Sequence, residues 1–134
     1  MVGRPRVVLL DTHALLWADL APTRLSPRCR RLIEDESVDL LWSAASSWEI
    51  SIKFGLGRLE LPFPSAAAFL RDQVENLRLT PLPVTHKHTF VLGELPHLHR
   101  DPFDRMLVAQ ARAEKVPIVT CDRALHAYDV ETIW

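Results

Sequence analysis

Two short, predominantly apolar runs each end on an acid. Val7-Val8-Leu9-Leu10 is followed by Asp11, and Pro117-Ile118-Val119-Thr120-Cys121 by Asp122. Apolar runs of this length without alternation are the pattern of strands buried on both faces. Longer segments of helical period separate them, which specifies a parallel sheet covered by helices on both sides, an α/β fold. In such sheets, sites form beyond the carboxyl ends of the strands. Asp11 and Asp122 stand at that end of two different strands.

The remaining elements follow from local signals. Thr12 is read as the N-cap of a helix through about Leu20. Ser26-Pro27 opens a second helix to about Glu36, with Pro in its first turn. Asp39 to Trp42 is a short strand, and Ser43 starts a helix carrying Trp48, Ile52 and Phe54 that should stop at Gly55 or Gly57. Pro62 and Pro64 break the chain before a helix from about Ser65 to Leu77. Leu79 to Val84 is extended, and its two prolines, Pro81 and Pro83, suit an edge strand. A short helix covers Thr85 to Leu92, and Asp101-Pro102 opens another over 101–115. Pro117 to Thr120 and Glu131 to Trp134 complete the sheet. The chain, residues 1–134, reads as one domain.

Composition narrows the function classes. Net charge is −1, so the molecule as a whole has no electrostatic footprint for nucleic acid, although its basic residues are thirteen Arg against three Lys. Arg forks suit phosphate; codon composition explains the bias equally well. Cys29 and Cys121 form no metal or redox motif, and no run approaches the roughly 18 apolar residues of a membrane span. A reduced, cytoplasmic address with no membrane partner is the expectation.

Four acids are hard to place in a metal-free interior. Besides Asp11 and Asp122, Glu49 and Asp104 lie within apolar helical stretches. A buried carboxylate must neutralise, pair or bind a cation, and too few interior Lys or Arg positions adjoin these four to pair them all. A divalent cation answers the excess. Glu49 alone would read as a surface pair with Lys53 four residues on; the other three acids argue for a shared site. Asp101, three residues before Asp104, is as well explained as a helix cap as a ligand. Thr12 and Thr120 adjoin the strand-end acids and could hold water or cap helices. Arg100, Arg105, Arg123 and Lys53 lie near the acids and could orient phosphate or pair with carboxylates. The six histidines, among prolines and turns with no Cys at ligand spacing, read as solvated. Trp17, Trp42 and Trp48 read as core rather than as base-stacking residues. His99-Arg100-Asp101 imitates the kinase triplet without the rest of a kinase, and no Walker, Rossmann or G-x-S-x-G fingerprint is present.

The order of strand then Asp11-Thr12-His13, Ser43-x-x-Ser46-x-Trp48-Glu49-Ile50, Asp101-Pro-Phe-Asp104-Arg-x-Leu-x-Ala-Gln-Ala, and Thr120-x-Asp122 resembles the PIN-domain family, and within it the VapC-type toxins of bacterial toxin–antitoxin pairs. The resemblance runs from Val7 to Trp134. It implies a parallel sheet flanked by helices and an Mg²⁺- or Mn²⁺-dependent endoribonuclease whose four acids fall on Asp11, Glu49, Asp104 and Asp122. It also implies an RNA substrate, a homodimer, and inhibition by a small cognate antitoxin. The full quartet argues against a catalytically silent PIN-fold binding module. At 134 residues, the chain leaves little room for the extra elements of a structure-specific DNA nuclease.

Overall fold

The computed structural model describes residues 5–134. Five parallel strands, β1 (Val7–Leu10), β2 (Asp39–Ser43), β3 (Leu79–Leu82), β4 (Ile118–Val119) and β5 (Thr132–Ile133), lie in the order β3-β2-β1-β4-β5. Six helices connect them: α1 (Thr12–Leu20), α2 (Pro27–Glu34), α3 (Ala44–Gly55), α4 (Ala66–Leu77), α5 (His86–Glu94) and α6 (Pro102–Glu114). The chain builds outward from β1 through β2 to β3, then returns to place β4 and β5 on the other side. The switch point between β1 and β4 is where a doubly wound sheet opens a crevice at its carboxyl edge.

Burial of β1 on both faces explains its unbroken apolar run. Val8 and Leu10 pack with Leu15, Cys29, Ile50 and Phe69 on one side; Leu9 packs with Leu107, Val108, Ile118 and Leu125 on the other. β3 is an edge strand, as its prolines require. Helix α3 ends where expected: Leu56 and Gly57 close its last turn on Ile52 and Phe54, and Gly57 takes φ 72, a conformation only glycine adopts without strain. Among the described residues no helix is long and apolar enough to cross a membrane.

Three local expectations are corrected. The N-cap of α1 is Asp11, not Thr12: Asp11 Oδ1 accepts from Ala14 N at 2.7 Å. Thr12 is inside the helix, and its hydroxyl shares a buried hydrogen bond of 3.0 Å with Ser46 on α3. Helix α2 stops at Glu34 rather than Glu36, because the Asp35 carboxylate turns back to accept from the Ser37 amide and hydroxyl at 3.0 and 2.6 Å. The third concerns His88, which is buried rather than solvated. Its Nδ1 accepts from Thr85 N, leaving the Nε2 proton for Glu114 at 3.1 Å.

Beside His88, the fully buried Gln110 ties α6 to the sheet. Its carbonyl accepts from Ser43 Oγ at 2.5 Å and its amide donates to the Pro83 carbonyl at 3.3 Å. Gln110→Ala therefore leaves the buried Ser43 hydroxyl without its acceptor and opens a cavity. It should cost about 2–4 kcal/mol, read as a lowered urea midpoint with unchanged slope.

Candidate functional site

Asp11 lies one residue past β1 and Asp122 three past β4, so the switch point brings them to one crevice. Thr120, fully buried, joins them: its hydroxyl hydrogen-bonds the Asp11 carboxylate and accepts from Asp122 N at 3.0 Å. Asp122 itself caps the following 3₁₀ turn, Arg123–Ala127, through Ala124 N. The second pair of acids comes from helices. Asp104 sits in the first turn of α6, whose N-cap is Asp101; one oxygen of Asp101 accepts from Phe103 N and Asp104 N at 2.8 and 3.2 Å. Glu49 projects from the middle of α3 and is 3% exposed, like Asp11.

The four acids are one electrostatic unit. Asp104 feels the charges of Asp101, Glu49 and Asp11, and Asp11 feels Asp122. Burial, reinforced by Asp101 and Glu49, pushes the Asp104 carboxyl up to about 7. Burial likewise raises Asp11 despite the bonds from Thr120 and Ala14. Lys53 reaches Glu49 Oε2 at 2.5 Å, and that contact raises the Lys53 ammonium. The i,i+4 pair is thus present, but it satisfies only one oxygen: Glu49 Oε1 is buried with no hydrogen-bond partner. A buried carboxylate oxygen without a donor is poised for a cation.

His99 belongs to the site although its sequence context reads as solvated. Its Nε2 lies 3.2 Å from Asp122 Oδ2 and 3.3 Å from Asp104 Oδ2. Because Nδ1 accepts from Asp101 N at 3.0 Å, the proton of the neutral ring is on Nε2. The imidazole therefore donates into the gap between two carboxylates rather than offering them a ligand atom. The loop carrying it is pinned by His99 N donating to Tyr128 Oη at 3.0 Å, a contact that no local pattern announces. The other basic candidates diverge. Arg105 Nη2 donates to the Leu95 carbonyl at 3.2 Å, whereas Arg100 and Arg123 are exposed. Trp48 is not core: it is 64% exposed, its ring edge-on to Phe103 at 5.1 Å.

The donor set suits a hard divalent cation. Among the described residues His99, Asp104 and Asp122 bring one ligand atom each within 4.8 Å of one another, Asp11 and Glu49 are charge-coupled to this group, and the unpartnered Glu49 oxygen and the raised Asp104 carboxyl both signal missing positive charge.

This combination of parallel sheet, switch-point crevice and acid cluster coincides with a family match. The PIN domain model matches residues 8–131, and the chain belongs to the PIN-domain family. It is similar to Ribonuclease VapC22 of Mycobacterium tuberculosis, 32% identical over 123 residues, covering 90% of this chain and 91% of that protein. It also resembles Ribonuclease VapC16 of the same organism, 42% identical over 60 residues, a match spanning 45% of this chain and 42% of that protein. The fold is shared with VapBC2 of Rickettsia felis, solved bound to a DNA fragment from their promoter, at a TM-score of 0.71 and 17% identity over 95% of this chain and 97% of that one. FitAB bound to the IR36 DNA fragment follows at 0.61 and 21%, covering 94% and 93%.

The raised Asp104 carboxyl fixes a pH dependence. In the unfolded chain it ionises near 3.8, in the metal-free fold near 7. Below 3.8 it is protonated in both states and carries no penalty; between the two values the unfolded chain ionises first and stability falls as pH rises. In EDTA, Asp104→Asn should match the wild-type melting temperature at pH 4 and exceed it at pH 8. Stabilisation of the wild type by Mg²⁺ should grow from pH 5 to 8, both followed by thermal melts.

Proposed function

We propose that this PIN-domain protein is a divalent-metal-dependent endoribonuclease acting as the toxin of a toxin–antitoxin pair, with Asp11, Glu49, Asp104 and Asp122 as its metal-holding carboxylates. The observation that carries the reading is the convergence of these four acids from two adjacent strand ends and two helices, with a buried Glu49 oxygen left unsatisfied. Kinship with two proteins named ribonucleases supports the choice of RNA. The two-component VapBC and FitAB assemblies sharing the fold support a small antitoxin as partner. A homodimer is the expected assembly.

A bound Mg²⁺ or Mn²⁺ would supply the lowered pKa of an attacking water and the positive charge that offsets phosphate and leaving oxygen. The protein's own groups do the rest. Asp11, as the cap of α1, is held rigid by Ala14 N and Thr120. Asp101 fixes the first turn of α6, and so the direction of Asp104. His99 holds Asp104 and Asp122 at a common distance from one ring nitrogen. Thr12 and Ser46 lock α1 against α3 beneath the crevice, setting where Glu49 emerges. Lys53 sits at the rim, 44% exposed, with charge to spare for a phosphate oxygen once a cation takes over Glu49. Without positive charge the cluster repels a phosphodiester; Asp11, Glu49, Asp104 and Asp122 would hold the cation that offsets this repulsion, and hydrolysis would proceed by in-line attack of water with no covalent enzyme intermediate.

Purified protein incubated with total RNA and Mg²⁺ or Mn²⁺ should release discrete fragments, absent with EDTA. Losing an outer partner of a metal ligand alone costs about 10- to 100-fold, so Asp104→Asn should lower the rate by at least about 100-fold. Metal-independent cleavage, or cleavage surviving in Asp104→Asn, would refute the assignment; end mapping of the fragments identifies the RNA.

A further inference from the structure

The guanidinium of Arg24 lies 4.3 Å from the centre of the Trp17 ring. Among the described residues it is the only Arg seated on an aromatic face, and no carboxylate pairs with it. Trp17 is half-buried, with the Trp134 ring edge-on at 5.9 Å and the His13 ring at 5.4 Å. An exposed stack of this kind stabilises a fold only weakly. Its place in the sheet is what gives it a role. Trp134 follows Ile133, whose carbonyl accepts from Thr120 N at 3.0 Å, and Thr120 bonds both Asp11 and Asp122. His13 stands two residues past Asp11, in the first turn of α1. The cluster thus adjoins the acids from two directions, across the β4–β5 pair and along α1. The Arg24 charge also reaches the Cys121 thiol, between Thr120 and Asp122, and His13 acts on the Asp11 carboxylate.

Resting on the ribonuclease reading, we infer that Arg24, held on Trp17, anchors a backbone phosphate of the RNA flanking the scissile one, on the β5 side of the crevice. The occupant follows from charge. A strand whose scissile phosphate lies at the acids leaves the crevice over a rim, and it carries a negative charge at every nucleotide. On the α3 and α6 side two basic groups are engaged: Lys53 contacts Glu49, and Arg105 donates to the Leu95 carbonyl. Arg24 has no such partner. A planar guanidinium restrained by the ring beneath it keeps its N–H fork for two phosphate oxygens. Stacking removes in advance part of the rotamer freedom that a long side chain loses on binding. Such a contact sets the register of the strand and carries no sequence information. It also supplies local attraction that the net charge of −1 does not.

The test uses a labelled single-stranded oligonucleotide spanning a mapped cleavage position. A matching set carries one neutral methylphosphonate, placed in turn at each phosphate flanking that position. Affinity in Ca²⁺ across a salt series, and kcat and KM in Mg²⁺, are measured for the wild type, Arg24→Ala, Arg24→Lys and Trp17→Leu. Arg24→Ala should weaken binding about 10-fold and raise KM, with kcat within about 2-fold of wild type. The slope of log affinity against log salt should become shallower by about 0.7, the value of one phosphate contact on a single strand. Arg24→Lys keeps the charge without the fork, so it should retain the slope and lose part of the affinity. Trp17→Leu should weaken binding in the wild type but not in the Arg24→Ala background. One methylphosphonate position should lower wild-type affinity and abolish the difference between wild type and Arg24→Ala. Mg²⁺ affinity by calorimetry and the melting temperature should be unchanged in both Arg24 variants, which separates an anchor from a damaged fold.

Equal affinity, KM and salt slope in wild type and Arg24→Ala, with cleavage retained, would overturn the anchor and leave the nuclease standing. So would a loss in Arg24→Ala that no methylphosphonate position abolishes. Unchanged RNA handling with weaker self-association of Arg24→Ala by sedimentation would overturn it in favour of a contact between copies of the chain. Failure of the wild type to bind or cut any RNA would remove both readings together.

Discussion

Asp11 ends the central strand, caps the first helix and contributes a carboxylate to the crevice, all through one buried side chain. Its Oδ1 is committed to Ala14 N, and its remaining capacity faces Thr120 and the neighbouring acids. Because β1 is flanked by β2 on one side and β4 on the other, the position of this residue sets the register of both halves of the sheet relative to the site. The remaining acids are placed with respect to it: Asp122 by the parallel pairing of β4 with β1, Glu49 through the Thr12–Ser46 bond between α1 and α3, and Asp104 through the packing of α6 on the opposite face. A cap is worth about 1 kcal/mol, much less than the cost of an uncompensated buried carboxylate. The residue is thus held in place by the fold against its own electrostatic interest.

Much of this architecture is legible in the chain because its signals are local. Val7 to Leu10 must be buried on both faces to be stable, Pro81 and Pro83 exclude β3 from the sheet interior, and the glycines after Phe54 end α3. The acids stand out for a related reason: a carboxylate in an apolar run is a local contradiction, and Asp11 and Glu49 are indeed buried while Asp122 is partly exposed. Cap assignment failed between Asp11 and Thr12 because both residue types cap helices, and only the tertiary partner, Ser46, decides which side chain is free to do so.

His99 and Trp48 depart from their sequence context for opposite reasons. Prolines and turns around His99 suggest solvent, but its place is fixed by Tyr128 and Asp122, 29 and 23 residues away, which no window of sequence joins. Trp48 lies in an apolar helix and so reads as core. The informative residues were its small neighbours: Ala44 and Ala45 on its own face leave nothing to bury it. Side-chain volume beside an aromatic carries as much information as the aromatic itself.

The charge balance of the crevice explains why internal cations do not complete it. Five carboxylates, counting Asp101, meet one ammonium, Lys53, and one imidazole whose proton already serves Asp104 and Asp122. Lys53 satisfies one oxygen of Glu49 from the rim and leaves the other bare. His99 bridges two acids without adding a charge in its neutral form. Asp104 shares its one partner, the His99 ring nitrogen, with Asp122, and burial and its acidic neighbours push its carboxyl up to about 7. A side chain held at the edge of ionisation near neutral pH responds strongly to an added divalent cation, since the ion's binding and the carboxyl's ionisation favour each other. Lys53 and His99 thus only partly offset the acids: each reaches in from one side, and neither covers the inner oxygen of Glu49.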